Sequence, residues 1–162
     1  LYGTPREHGA FAALTQTPPL QHRGRIVETV TGLSVNLFVA DSEAALRYYQ
    51  NAFGAQCTEE HFSGRARGEK SAHFTIGAFH FAMADENPAR GSKSPLALGG
   101  VSACIQLYVR DLDAAVNRAL TAGGTVSAPC TVERPIMEIP DGTRFCNITD
   151  PFGHVWSLSA RV

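Results

Sequence analysis

Apolar and polar residues alternate regularly from residue 33 onward. Leu33, Val35, Leu37 and Val39 are separated by Ser34, Asn36 and Phe38, and this period of two predicts a strand with one face in the core. Asp41 follows at a position typical of a helix N-cap. Ala45, Tyr49 and Ala52 then recur at helical spacing and predict a helix of about three turns. Gly54 is predicted to end it in the left-handed conformation.

The same pattern returns 70 positions later. Leu107-Tyr108-Val109-x-Asp111 repeats Leu37-Phe38-Val39-x-Asp41, and Ala122-Gly123-Gly124 repeats Ala52-Phe53-Gly54. Ala103, Ile105 and Leu107 are expected on the core face of the second strand, and Asp111 is expected to cap the second helix. A duplicated supersecondary unit predicts two similar modules with a cleft between them.

Further strands are predicted at about residues 55–62, 70–77 and 79–85, and again at 125–133, 143–149 and 154–160. Residues 86–100 are predicted to form a polar linker, and residues 1–32, with three prolines and no clear period, an irregular N-terminal extension. The expected fold is α+β: two tandem βαβββ modules, 33–97 and 101–162, that form a paired half-barrel with a cup-shaped cleft.

Composition narrows the functional classes. The chain has 162 residues and a formal net charge of −1, without a basic stripe, so nucleic acid is not an expected partner. No apolar run approaches the ~18 residues that cross a bilayer. Four cysteines without C-x-x-C spacing indicate reduced thiols and a cytoplasmic protein. An organelle is the alternative if residues 1–32 are the remnant of a transit segment.

Three motifs carry a family resemblance. They are the pair Tyr48-Tyr49, the helix ending Ala52-Phe53-Gly54-Ala55, and Asp150-Pro151-Phe152-Gly153-His154-x-Trp156. Together with the duplication they resemble the vicinal oxygen chelate superfamily, which includes glyoxalase I, bleomycin-resistance proteins and extradiol dioxygenases. The motifs are most similar to its PhnB-like branch.

The resemblance implies a divalent metal held by one ligand from the first and last strand of each module. Those positions fall on Ser34, Cys104, Ser157 and, within one residue, Met83. This neutral set does not offset the cost of dehydrating a hard dication, so neither a metal nor another cofactor is expected. The alternative is a displaced site that uses His73 and His80, which could meet across a hairpin.

The alternation also predicts which residues line the cup. The expected ligand-binding residues are Ser34, Asn36, Phe38, Met83, Cys104, Gln106, Tyr108 and Ser157. Such an apolar lining with a few uncharged polar groups is typical of a small-molecule site. We therefore expect a small-molecule-binding protein without the superfamily metal, most simply a homodimer. A metal-dependent lyase, isomerase or dioxygenase with a displaced metal site is the alternative. Whether the protein is an enzyme stays open, and no catalytic residue is assigned.

Overall fold

The computed structural model describes residues 32–63 and 69–161 of the chain. The chain divides into one unit over Leu1–Thr31 and another over Gly32–Val162. The predicted irregular extension therefore lies, except for Gly32, outside the described residues. Both predicted modules fall in the second unit, and no helix among its described residues is long and apolar enough to span a membrane.

Module one contains one long helix and one four-stranded sheet. Its elements in chain order are β1 (Val35–Val39), α1 (Ser42–Phe53), β2 (Gln56–Glu60), β3 (Ser71–Ile76) and β4 (Phe79–Asp85). The sheet order is β1-β4-β3-β2, and β1 runs parallel to β4. The predicted caps are confirmed: the Asp41 carboxylate accepts from the amides of Glu43 and Ala44, and Gly54 ends α1 at φ 68°.

The connection between the modules is more ordered than predicted. Residues 86–100 contain a 3₁₀ turn over Pro88–Arg90 and a short helix, α2 (Pro95–Leu98). The Ser94 side chain accepts from the amide of Ala97 and caps α2, and Pro95 occupies a first-turn position where no amide donor is needed. A capping residue followed by proline was thus a local signal for this helix.

Module two repeats the topology with two departures from the prediction, a shortened strand after its long helix and one additional short strand. Its elements are β5 (Cys104–Tyr108), α3 (Leu112–Thr121), β6 (Thr125–Val126), β7 (Met137–Glu138), β8 (Thr143–Thr149) and β9 (Val155–Arg161). The sheet order is β5-β9-β8-β6, with β7 also paired to β8. The predicted strand over 125–133 stops at Val126, since Pro129 has no amide to donate to a ladder. The α+β class and the two-module organisation are confirmed.

The two modules share one core. Trp156 of β9 is fully buried, as its position predicted, and packs against Tyr49 and Phe53 of α1 with ring centroids 5.3 and 4.7 Å apart. Phe81 of β4 lies 5.9 Å from the same indole. Each sheet therefore turns its helix-bearing face toward the other module. Its second face carries most of the polar side chains, and we call it the polar face.

Candidate functional site

The strand register decides which predicted site residues share a face. In module one, Asn36 lies beside Ala82, and Ala82 is opposite His73, so these side chains belong to the polar face. Leu37 lies beside Met83, and both are almost completely buried. The placement of Met83 in the cup is therefore wrong, because this side chain belongs to the core face. The one-residue uncertainty resolves in favour of Ala82, whose methyl side chain has no donor atom for a metal.

The other three predicted metal positions lie on or beside the polar faces. Ser34 precedes β1, and its hydroxyl donates to the carbonyl of His80 at 3.3 Å. Ser157 lies beside Gln106, two residues along from the Cys104 position in the parallel pair β5–β9. Partial burial raises the pKa of the Cys104 thiol. These residues do not fit a hard dication.

The two histidines of the alternative, displaced site are diagonal neighbours in the hairpin and are not directly opposite each other. His73 is opposite Ala82, whereas His80 is opposite Thr75, so the two histidines are offset along the ladder. Across the described parts of the chain, no group of three or more His, Cys, Asp or Glu residues is placed to hold a metal ion. His73 instead faces Glu59, whose carboxylate contacts His61 at 2.8 Å.

A large cavity lies between the modules, beside the edge strands β1 and β5. Its volume is about 700 Å³. Apolar side chains of both modules line it, including Val35, Phe53 and Phe81 from module one and Ile105, Leu107 and Ala115 from module two. We call it the inter-module cavity. It wraps around the strand edges: residues of the helix-bearing faces line most of it, and His80, Gln106 and Tyr108 of the polar faces also contribute.

Large exposed side chains surround this cavity. Leu33, Phe79 and Tyr108 line it while remaining 88, 72 and 76% exposed. The prediction that Leu33 lies in the core with Val35 is therefore wrong, because β1 is an edge strand here and Leu33 precedes its first ladder pair. The alternation correctly placed Leu33 on the same side of the strand as Val35. It could not show how far the other module covers that position.

Besides Tyr108, three hydrogen-bonding or charged side chains complete the lining. Gln106 contributes an amide, which also donates to Ser159 Oγ at 3.1 Å. His80 contributes an imidazole and Arg118 a guanidinium. No Asp or Glu lies among the described residues around this cavity. Sequence reasoning missed Arg118, although it follows Ala115 of the α3 apolar stripe by three residues and so shares its helix face.

A smaller cavity of about 220 Å³ takes the other part of the predicted set. Asn36 and Phe38 line it, together with Lys93, Ala103 and His154. Ala103, predicted on the core face, is exposed there. Of the eight predicted ligand-binding residues, the inter-module cavity contains Gln106 and Tyr108, the smaller cavity contains Asn36 and Phe38, and neither contains Ser34, Met83, Cys104 or Ser157. The structure thus divides the predicted cup between separate places.

The closing motif has a structural role that the sequence did not reveal. Asp150 is 3% exposed, and its Oδ2 accepts from Tyr49 Oη at 2.9 Å and from Trp156 Nε1 at 2.8 Å. Its Oδ1 accepts from the amides of Phe152 and His154, each at 2.9 Å. This buried carboxylate therefore joins α1 of module one to the turn and strand of module two, where charge-assisted hydrogen bonds are strong.

Two neighbouring tyrosines experience this carboxylate differently. Burial, and then the Asp150 charge, raise the pKa of Tyr49 well above its usual value. The same two causes raise the pKa of Tyr48, but its hydroxyl has no hydrogen-bond partner among the described residues. A Cβ added at Gly124 would lie 2.7 Å from that hydroxyl and 2.9 Å from the Ala119 carbonyl. The second glycine of the repeat is thus required for close packing.

The His154 ring provides a second link between the modules. Its Nε2 donates to the carbonyl of Phe38 at 3.1 Å, so the turn after β8 is tied to β1. The hydrogen bonds of Asp150 and His154 therefore join the two modules of the duplicated fold, and this fold can be compared with those of known proteins. The model of the Glyoxalase/Bleomycin resistance protein/Dioxygenase superfamily matches residues 29–158.

The chain belongs to this superfamily. A protein of Mycobacterium tuberculosis strain H37Rv, described as uncharacterized, is 36% identical over 137 residues, covering 80% of this chain and 74% of that protein. Its Mycobacterium bovis counterpart is also 36% identical over 137 residues, covering 80% of this chain and 83% of that protein.

Solved structures of superfamily members agree on the fold. Fosfomycin resistance protein FosX of Listeria monocytogenes superposes with a TM-score of 0.61 at 17% identity, covering 82% of this chain and 95% of that one. A glyoxalase-related enzyme of Fulvimarina pelagi gives 0.58 at 20% identity, covering 82% and 89%. At these identities the likeness establishes the fold alone. One structure of a FosX variant from Listeria monocytogenes holds Mn(II).

Proposed function

We propose that this protein is a superfamily member that binds a small, mainly apolar molecule in the inter-module cavity without the superfamily metal. The observation that carries the proposal is the cavity itself, about 700 Å³ and lined mostly by apolar side chains. Drug-sized ligands occupy cavities of about 300–1,000 Å³ with a few polar groups that orient them. Gln106 and Tyr108, two of the residues expected at the site, supply such groups here.

The neutral dye Nile red provides a direct test of this site, because its fluorescence rises in apolar surroundings. We expect saturable binding to the wild-type protein. Ile105→Trp places an indole in the cavity and should abolish binding, whereas Val132→Trp adds the same ring at a position that is 80% exposed and outside the cavity. Circular dichroism checks that both variants fold. Equal dye binding by the folded Ile105→Trp variant would refute the assignment of the site.

Metal analysis of the purified protein tests the other half of the proposal. Because the ligand positions hold no imidazole or carboxylate, we expect less than one equivalent of Zn, Ni, Mn or Fe and unchanged dye binding after chelation. A stoichiometric metal lost on His73→Ala or His80→Ala would instead support the metal-dependent lyase, isomerase or dioxygenase. Asn117→Ala, outside both positions, is a control for nonspecific loss.

We also propose that the protein forms a homodimer. In the described part of the sheets, β1 and β5 stand at the ends of their strand orders, and such edge strands favour pairing with a second copy. Light scattering coupled to size-exclusion chromatography should give twice the chain mass of 17.4 kDa. A constant monomer mass at concentrations up to the millimolar range would contradict the proposal.

A further inference from the structure

Arg118 gives the inter-module cavity a charge. It lies in the last turn of α3, one turn after the buried Ala115, and both residues line the cavity. A basic residue at this end of a helix also suits the helix dipole. What distinguishes Arg118 is its position at a mostly apolar cavity, where a bound molecule would remove water from around the guanidinium.

No protein group on the described surface neutralises this charge. Arg118 forms no ion pair with any described residue, whereas the acid on the same helix, Asp113, pairs with Arg144 at 3.4 Å. His80 is the other titratable group at the cavity that can carry positive charge, and no described carboxylate lines it. The cavity therefore favours a ligand that is apolar over most of its surface and carries one negative charge.

We infer that the ligand is an apolar monocarboxylate, an alkyl or aryl acid whose carboxylate meets Arg118 while its body fills the inter-module cavity. The inference rests on the proposed function and specifies its ligand class. A guanidinium presents a planar fork of donors that matches a carboxylate in bidentate geometry. The rings of Phe53, Phe81 and Tyr108 and the aliphatic side chains of β5 accommodate either kind of body.

Matched acids and alcohols isolate the contribution of the charge. Octanoate is compared with 1-octanol, and 1-naphthaleneacetate with 2-(1-naphthyl)ethanol, as competitors of bound Nile red. We expect at least one acid to compete about tenfold better than its alcohol, as a charge-assisted pair at a partly exposed site allows. The acid's advantage should shrink with added salt, because an exposed charge pair is screened. The pair that shows the preference identifies the alkyl or aryl body.

Variants of the arginine then identify its role. Arg118→Gln should abolish the preference for the acid over its matched alcohol, and Arg118→Lys should keep part of this preference. Arg47→Gln is the control, because Arg47 is an exposed arginine of α1 that pairs with Glu43 and does not line the cavity.

The outcomes separate the two proposals. If Nile red binds and is displaced equally by acids and alcohols, or if Arg118→Gln keeps the preference, the ligand class is wrong while the binding site stands. If Nile red fails to bind the wild-type protein, the proposed function itself is wrong, and the ligand class is overturned with it.

Discussion

Replacing Tyr49 by Phe tests how strongly the buried Asp150 carboxylate joins the two modules. The change removes one hydroxyl and keeps the ring that packs against Phe74 and Trp156 at 5.4 and 5.3 Å. Tyr49 is fully buried, and its hydroxyl donates to Asp150 at 2.9 Å. A hydrogen bond to a charged group contributes about 1.5–3 kcal/mol. Because Asp150 keeps its bonds to Trp156 and to two amides, we expect a loss of about 2 kcal/mol in the free energy of unfolding.

Tyr48→Phe is the matched control, one residue away on the same helix. Its hydroxyl is buried without a partner among the described residues, so removing it ends a desolvation cost that is not compensated. We expect unchanged stability or a gain of up to about 1 kcal/mol. The two variants delete the same atom from adjacent rings. Their changes in the free energy of unfolding should differ by at least about 2 kcal/mol, with a loss only in Tyr49→Phe.

Urea denaturation measures this difference. With a slope of about 2 kcal/mol per molar urea, Tyr49→Phe should lower the midpoint by about 1 M. Far-UV circular dichroism is used to follow the transition. Tryptophan fluorescence is less suitable, because Trp156 itself bonds to Asp150 and the substitution would change its native-state fluorescence. Equal losses in Tyr48→Phe and Tyr49→Phe, or a Tyr49→Phe midpoint within 0.2 M of wild type (about 0.4 kcal/mol), would refute the role assigned to Asp150.

Three further predictions concern pH and packing. The pKa of Tyr49 is raised in the folded state, so this tyrosine ionises first in the unfolded chain. The free energy of unfolding should therefore fall above about pH 10, by up to about 1.4 kcal/mol per pH unit for this group. In Tyr49→Phe this fall should be smaller. Gly124→Ala should cost about 1–3 kcal/mol in denaturant midpoints, and Gly100→Ala, with open space around its Cα, almost nothing. Met83→Ala should lower the free energy of unfolding by about 2–5 kcal/mol in thermal unfolding, whereas Asn36→Ala, at an exposed position, should change it little. Equal effects of the two variants would indicate that Met83 lies on the polar face.

Local patterns explain the parts of the fold that were predicted correctly. A capping carboxylate and a glycine act within one helical turn, so Asp41, Gly54 and Asp111 could be recognised from their neighbours alone. Strand alternation has the same local character. Pro129 already argued against the long strand predicted over 125–133, because proline has no amide hydrogen to donate to a strand ladder.

The candidate site could be predicted only in part. Met83 was placed on the wrong face because a shift of one residue moves a strand's side chain to the opposite side of the sheet. The register that decides it comes from pairing with β1, more than 40 positions earlier in the chain. Arg118 and Phe79 became site residues only because the helix of one module lies beside the sheet of the other.

The sequence by itself determined the duplicated βαβββ pattern, the helix caps and the core position of Trp156. These depend on residue types and on spacings within single elements. The tertiary structure alone decided that Asp150 bonds to Tyr49, 101 positions away, and that residues of both modules line a cavity of about 700 Å³. Both depend on how two similar units pack, and that packing is set by the summed contacts of side chains far apart in the chain.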